Sequence, residues 1–302
     1  MIKSIRVIGI IGIIALTLWS CGEDNDSKKT DIIEETVTDE INISRSDKVQ
    51  YQRAKIVLFS LPSPMETAKV LKKSGAIYDS KYLNPVENID KHETTKGKAI
   101  AMGIYVADLS YANVFKQQQA CLDYFSVMSK LADDLSLSEV FTKDFVEKID
   151  NNISNEDSVL EYLTESYLRA NSELKADDRE SVAGLIAAGG WIEGLYIATH
   201  LIDPNNLNDP VSERIAEQGA SLKQLIKFLS SFRDDKNLLE VTRDLEELEK
   251  LFDQIEVERV RVEASTDADG VAVVGKKKVY KFKGTLLNDI IEQTKIIRNK
   301  YV

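Results

Sequence analysis

The chain has 302 residues, of which 43% are hydrophobic and 29% are charged. This apolar content is enough for one sizeable domain or two small ones. The formal net charge is −11, and an acidic surface repels the phosphates of nucleic acids and of anionic lipid headgroups. The composition therefore disfavours nucleic acid as a partner.

The first 21 residues have the pattern of an export signal. Two basic residues precede a thirteen-residue apolar run at 7–19, a length typical of a signal-peptide core and short for a membrane-spanning helix. The small residue Ser20 then precedes Cys21. This "LWSC" junction resembles the lipobox of bacterial lipoproteins, in which the cysteine thiol takes a diacylglyceryl group and becomes the mature N-terminus. We therefore expect a signal peptide at 1–20 and lipid attachment at Cys21.

The next segment, residues 21–52, is predicted to be a lipidated, disordered and acidic tether. Between Gly22 and Gln50 it holds nine acids and four bases among many Ser, Thr and Asn residues. Such a segment buries too little apolar surface to offset the entropy lost on ordering. The acids directly after Cys21 resemble the surface-export signal of Bacteroidota lipoproteins. That resemblance implies an outer-membrane lipoprotein exposed at the cell surface, and a periplasm-facing position stays open as an alternative.

Residues 53–302 are predicted to form a single all-α domain, a bundle of about eight helices. The helical spacing of apolar residues predicts helices over 63–75, 94–135 (two helices or one bent helix), 137–150, 155–174, 178–201, 210–232, 235–256 and 285–300. Cys121 falls within one of these patterns and is predicted to be a core residue.

The segment 257–283 departs from the helical pattern. Two runs of β-branched residues flank the turn sequence "STDADG", which predicts a late polar β-hairpin or a flexible loop. The DxDG within it lacks the glutamate of a calcium loop, because Lys278 stands at that position. A calcium site is therefore disfavoured.

Recognisable catalytic and cofactor motifs are absent from the sequence. The chain has two histidines and lacks the HExxH, Cys-x-x-Cys, P-loop, GxGxxG and GxSxG patterns. We therefore expect no metal and no cofactor. An enzyme is disfavoured relative to a non-enzymatic lipoprotein that binds an envelope protein partner or scaffolds a complex.

Two stretches could nevertheless form a site, "GIYVADLSYANVF" and "AGLIAAGGWIEGLYIATH". Four glycines in the second stretch each cost a helix roughly 1 kcal/mol relative to alanine, which favours close approach by a neighbouring helix or a ligand. The candidate pocket residues, between helices at 100–115 and 182–201, are Asp108, Tyr111, Trp191, Glu193, Tyr196 and His200. Three interpretations remain open: a buried polar network that fixes helix register, a pocket for a small ligand, and a hydrolase with paired carboxylates at Asp108 and Glu193.

The segments "SLPSPMETAKVLKKSGA", "LNPVENIDK", "GIYVADLSYANVF" and "AGGWIEGLYIATH" resemble those of uncharacterised helical lipoproteins of Bacteroidota. The resemblance covers about residues 57 to 256. It implies an all-α, lipid-anchored domain, and it implies neither an activity nor any catalytic residues.

Overall fold

A computed structural model describes residues 69, 72–73, 76–152, 155–202, 210–232, 235–261, 265–266, 272–273 and 276–302. The predicted signal peptide at 1–20, the predicted lipid attachment at Cys21 and the predicted tether at 21–52 lie outside these described residues. Of the helix predicted at 63–75, the three described residues, all lysines, are helical.

The described part of the chain is predominantly α-helical. Its helices with full bounds are α1 (Thr95–Val114), α2 (Gln118–Asp134), α3 (Lys143–Asn152), α4 (Glu156–Ala176), α5 (Glu180–His200), α6 (Pro210–Leu229), α7 (Lys236–Phe252) and α8 (Leu286–Tyr301). Short 3₁₀ turns lie at Ser80–Tyr82, Val86–Lys91, Ser138–Phe141 and Ser230–Phe232. The predicted all-α bundle is confirmed.

The late hairpin is also confirmed. Strand β1 (Glu256–Arg261) pairs antiparallel with β4 (Lys276–Lys281), and the two-residue strands β2 (Ser265–Thr266) and β3 (Ala272–Val273) pair with each other. The hairpin therefore lies between α7 and α8, where the β-branched runs predicted it.

Polar caps and left-handed residues set the ends of several helices. The Thr94 hydroxyl accepts a hydrogen bond from the Gly97 amide at 3.0 Å and so begins α1. Three helices end at non-glycine residues with positive φ, which are Lys116 (58°), Ser136 (57°) and Asp178 (55°). After Lys116 the Gln117 amide donates to the Ala112 carbonyl at 2.9 Å, the bond that typically closes a helix through a left-handed residue. This turn splits the predicted 94–135 region into two helices.

Helices α1 and α5 form the centre of the core, and both are apolar on nearly all sides. They touch through their backbones at two glycines. A Cβ added to Gly103 would lie 2.0 Å from the Ile186 carbonyl oxygen, and one added to Gly189 would lie 2.1 Å from that of Ile100. Any side chain at these positions would force the helices apart, so the glycines serve the approach of a neighbouring helix.

Within the described residues, α5 has the length and apolar composition of a membrane-spanning helix. Most of it is buried by the surrounding helices, as in the core helix of a soluble protein. Helix α8 closes the chain with a buried stripe that includes Ile290, Thr294, Ile297 and Tyr301. This stripe brings α8 against α5 and α7.

Candidate functional site

The two predicted carboxylates meet in the core. Asp108 of α1 and Glu193 of α5 both have 0% of their surface exposed, and they lie close enough for the negative charge of Glu193 to raise the pKa of Asp108. They come together because α1 and α5 pack so closely at the glycine contacts. Two carboxyl groups in such a position need a counter-charge, a proton, or both.

Arg298 of α8 supplies the counter-charge. Its Nε donates to Glu193 Oε2 at 2.9 Å and its second amino group, Nη2, donates to Oε1 at 3.0 Å. This two-pronged geometry suits a carboxylate and strengthens the pair. The Arg298 side chain is 10% exposed, so both ends of the ion pair are shielded from water. Burial raises the pKa of Glu193, and the hydrogen bonds and positive charge of Arg298 oppose that shift.

The surroundings of Asp108 favour the protonated form of its carboxyl group. Its Oδ2 accepts the Asn84 amide at 3.2 Å, whereas no described residue donates to its Oδ1. Burial raises the pKa of Asp108 well above its usual range, and the negative charge of Glu193 raises it further. A proton on Oδ1 would remove the charge repulsion with Glu193 and would turn the unpaired oxygen into a hydrogen-bond donor.

A buried turn covers Asp108. Asn84 is 0% exposed. Its backbone carbonyl accepts a hydrogen bond from the Tyr124 hydroxyl at 3.3 Å, and its Oδ1 accepts one from the side-chain Nδ2 of Asn88 at 2.6 Å. The Tyr105 hydroxyl donates to the Pro85 carbonyl at 3.0 Å. The turn is thereby joined to α1 and α2, and the polar network continues from the carboxyl pair into the loop before α1.

Aromatic side chains lead from Arg298 towards the surface. The guanidinium lies 4.5 Å from the centre of the Tyr196 ring, a cation–π arrangement. The His200 ring lies 4.0 Å from that of Tyr196 and 5.1 Å from that of Tyr82. His200 Nδ1 lies 2.8 Å from the Tyr196 carbonyl, which can only accept, so Nδ1 carries the hydrogen. Burial lowers the pKa of His200, which favours the neutral ring.

The other two predicted pocket residues lie elsewhere. The Tyr111 hydroxyl accepts the Asp79 amide at 3.3 Å, and its ring stacks on Tyr78 at 5.4 Å. Trp191 points to α6, where its indole N–H donates to the Ser221 hydroxyl at 3.0 Å. The structure therefore brings together Asp108, Glu193, Tyr196 and His200 and separates Tyr111 and Trp191 from them.

This geometry bears on two of the three interpretations drawn from the sequence. A ligand has no room at the Gly103 and Gly189 contacts, because backbone atoms of the opposite helix fill that space. Acid–base hydrolysis requires carboxyl groups that reach substrate and water, and neither Asp108 nor Glu193 has exposed surface. Within the described ranges no group of three His, Cys, Asp or Glu side chains could hold a metal ion. The arrangement can fix the positions of α1, α5 and α8.

Sequence reasoning missed Arg298 and Asn84. Arg298 lies four residues after Thr294 and one after Ile297, on the buried stripe of α8. A cation on an apolar face predicts a buried carboxylate partner, so this signal was present in the sequence. Asn84 lies between Leu83 and Pro85, and a polar residue in a turn does not by itself indicate burial.

Cys121 lies in the core as predicted, with 1% of its surface exposed. Burial raises the pKa of its thiol to about 12. The side chain therefore packs as a small apolar group and lacks the thiolate character of a reactive cysteine.

No family model, curated protein or solved structure matches this chain.

Proposed function

We propose that this protein is a lipid-anchored lipoprotein of the cell envelope whose helical domain binds a protein partner or scaffolds an outer-membrane complex without catalysing a reaction. The basic residues, the thirteen-residue apolar run and the cysteine at position 21 support the anchor. The acids that follow Cys21 support a position at the outer membrane with the domain facing outward. The anchor would hold the acidic domain close to other envelope proteins.

One observation carries the non-enzymatic part of this proposal. Asp108 and Glu193 are the carboxyl groups that the sequence offers for acid–base catalysis. Both are fully buried, and Arg298 binds Glu193. A buried, fully bonded ion pair of this kind fixes how helices pack. Because these buried polar residues stabilise the fold, the function of the domain would depend on its surface. This favours recognition of a partner.

Cys21→Ala tests the anchor. Metabolic labelling with a clickable fatty acid, followed by membrane fractionation, should show label on the wild type and neither label nor membrane retention in the variant. The matched control is Cys121→Ala, because Cys121 is buried and should not be acylated. A Cys21→Ala protein that remained lipid-labelled and membrane-bound would contradict the lipoprotein assignment.

The second experiment tests partner binding in intact cells. The anchored protein is cross-linked, purified and compared by mass spectrometry with an anchor-only control in which residues 1–52 carry an unrelated domain. We expect one or more envelope proteins to be enriched with the full chain. Equal recovery from both samples would refute the partner-binding role and leave the anchor assignment standing.

A further inference from the structure

The hairpin formed by β1 and β4 presents an exposed strand at its outer side. All five described side chains of β1, from Glu256 to Val260, are exposed. Strand β4 contacts α6; its Tyr280 is partly buried, and Phe282, just after the strand, is buried. The helical body therefore supports the hairpin from the β4 side, and the other edge of β1 pairs with no described strand.

The charge on this hairpin is opposite to that of the whole chain. Strand β1, "EVERVR", balances two acids against two bases, whereas β4, "KKKVYK", holds four lysines and no acid. The full chain carries −11. A pair of strands with a net positive charge therefore stands on a strongly acidic protein, and the positive charge comes from β4 and from Arg259 and Arg261 of β1.

The strand register places two cations directly opposite each other. Arg259 pairs with Lys278, and both side chains are exposed. Like charges in directly opposed positions destabilise a strand pair. The two glutamates of β1 already have partners, since Glu258 binds Lys281 at 2.7 Å and Glu256 binds Lys283. Among the described residues no acid binds Arg259 or Lys278.

Apolar side chains lie on the same strand. Val257 is 51% exposed and Val260 is 47% exposed. Because they are three residues apart, they lie on opposite faces of β1. A strand added beside β1 would cover both valines, and on the face of Val257 and Arg259 its acids could bind Arg259.

We propose that the outer edge of β1 binds an extended, acidic segment of a partner protein by strand addition. This inference rests on the proposed partner-binding function and names the chemistry of the partner. Backbone hydrogen bonds to the edge of β1 would provide affinity, and the alternating side chains would provide selectivity. The fitting segment alternates acids, which face Arg259, with β-branched residues, which cover Val260.

Two other occupants fit less well. A second copy that paired antiparallel about Arg259 would place arginine against arginine. An anionic membrane would attract the hairpin and repel the rest of the acidic chain, whereas a narrow acidic strand would contact the hairpin alone.

The test measures the binding of synthetic strands to the intact lipoprotein in detergent by fluorescence anisotropy. The probe is a labelled (Glu-Val)₅ peptide, compared with (Lys-Val)₅ and with a (Glu-Val)₅ peptide whose backbone amides are all methylated. Methylation keeps the charge and removes the backbone donors along both edges. We expect binding of the first peptide only, with affinity weakened roughly fivefold to tenfold by Arg259→Gln/Lys278→Gln.

The matched control variant is Lys130→Gln/Lys250→Gln, which removes two exposed positive charges from helices α2 and α7 and should bind as the wild type does. Equal binding of the methylated peptide would overturn strand addition, because charge alone would then be sufficient. Equal binding by the Arg259/Lys278 variant would overturn the location. The protein could instead bind phosphatidylglycerol vesicles through Arg259 and Lys278 and fail to bind (Glu-Val)₅. That result would assign the surface to lipid and refute the acidic-strand proposal.

The cross-linking experiment separates this inference from the proposed function. If the Arg259→Gln/Lys278→Gln protein recovers the same partner as the wild type, the hairpin inference fails and partner binding stands. If the wild type recovers no partner above the anchor-only control, the proposed function itself fails.

Discussion

Replacing Asp108 by asparagine tests where the proton of the buried carboxyl pair lies. Asparagine has nearly the same shape as a protonated aspartic acid. Its carbonyl oxygen can accept the Asn84 amide, as Oδ2 does now at 3.2 Å, and its NH₂ group can donate to Glu193. If Asp108 is neutral in the folded protein, Asp108→Asn should fold and preserve the network.

The sign of the pH dependence follows from the raised pKa. The unfolded chain releases the Asp108 proton near the usual value of 3.8, whereas in the folded protein burial and Glu193 hold the pKa well above it. A carboxyl group with a raised folded pKa contributes full stability below the unfolded pKa, and that contribution falls as pH rises towards the folded value. The wild type should therefore lose up to about 1.4 kcal/mol per pH unit through this group, and the asparagine variant should not.

The assay is urea unfolding of both proteins at pH 5, 6 and 7. While folded Asp108 keeps its proton, the unfolding free energy of the wild type should fall relative to that of the variant as the pH rises. The relative change from pH 5 to pH 7 should be up to about 2.7 kcal/mol. Asp79→Asn is the control, because Asp79 is only partly buried and Lys81 lowers its pKa. Asp79 affects stability only at more acidic pH, so its variant should parallel the wild type. Parallel curves for Asp108→Asn would show that folded Asp108 is ionised and would refute the assignment of the proton.

Three further predictions, made with four substitutions, test the packing and the helix ends by the same urea assay. Gly103→Ala places a Cβ 2.0 Å from a backbone oxygen and should lower the unfolding free energy by about 2 kcal/mol or more. The overpacking outweighs the gain of about 1 kcal/mol in helix propensity. A variant as stable as the wild type would contradict the close contact. Ser136→Gly relieves the strain of a φ of 57° and should stabilise the protein by about 1 kcal/mol. The control, Ser172→Gly inside α4, should destabilise the protein by roughly 0.5 kcal/mol. Changes of the same sign in the two variants would refute the left-handed turn. Trp191→Phe removes the indole hydrogen bond to Ser221 and should cost about 1 to 3 kcal/mol, and no change would show that this bond contributes nothing.

The sequence predicts the helical architecture well, because the positions of α2, α4 and α7 follow from apolar spacing and from turn residues at their ends. The hairpin is equally predictable, since β-branched runs around "STDADG" break the helical pattern. These features depend on local sequence, in which period and turn chemistry agree.

The composition of the site could not be predicted in the same way. Helices α1 and α5 are apolar on nearly all sides, so periodicity does not indicate which face of either helix meets the other. The contact is set by Gly103 and Gly189. The glycines around position 189 predict a close approach by a helix or a ligand, but they do not indicate which helix approaches. Arg298 is 105 residues from Glu193, and no local pattern connects them. Only the tertiary packing of α8 brings Arg298 to Glu193, where its positive charge compensates the buried negative charge.

The central claim is that Asp108, Glu193 and Arg298 form a structural network that joins α1, α5 and α8. The most direct test is a double-mutant cycle of Arg298→Met, Glu193→Gln and the combined variant, measured by urea unfolding at pH 7. Arg298→Met leaves Glu193 buried with an uncompensated charge and should cost about 3 to 5 kcal/mol, whereas the combined variant should recover a substantial part of that loss. Strictly additive losses, or an Arg298→Met protein as stable as the wild type, would contradict the claim.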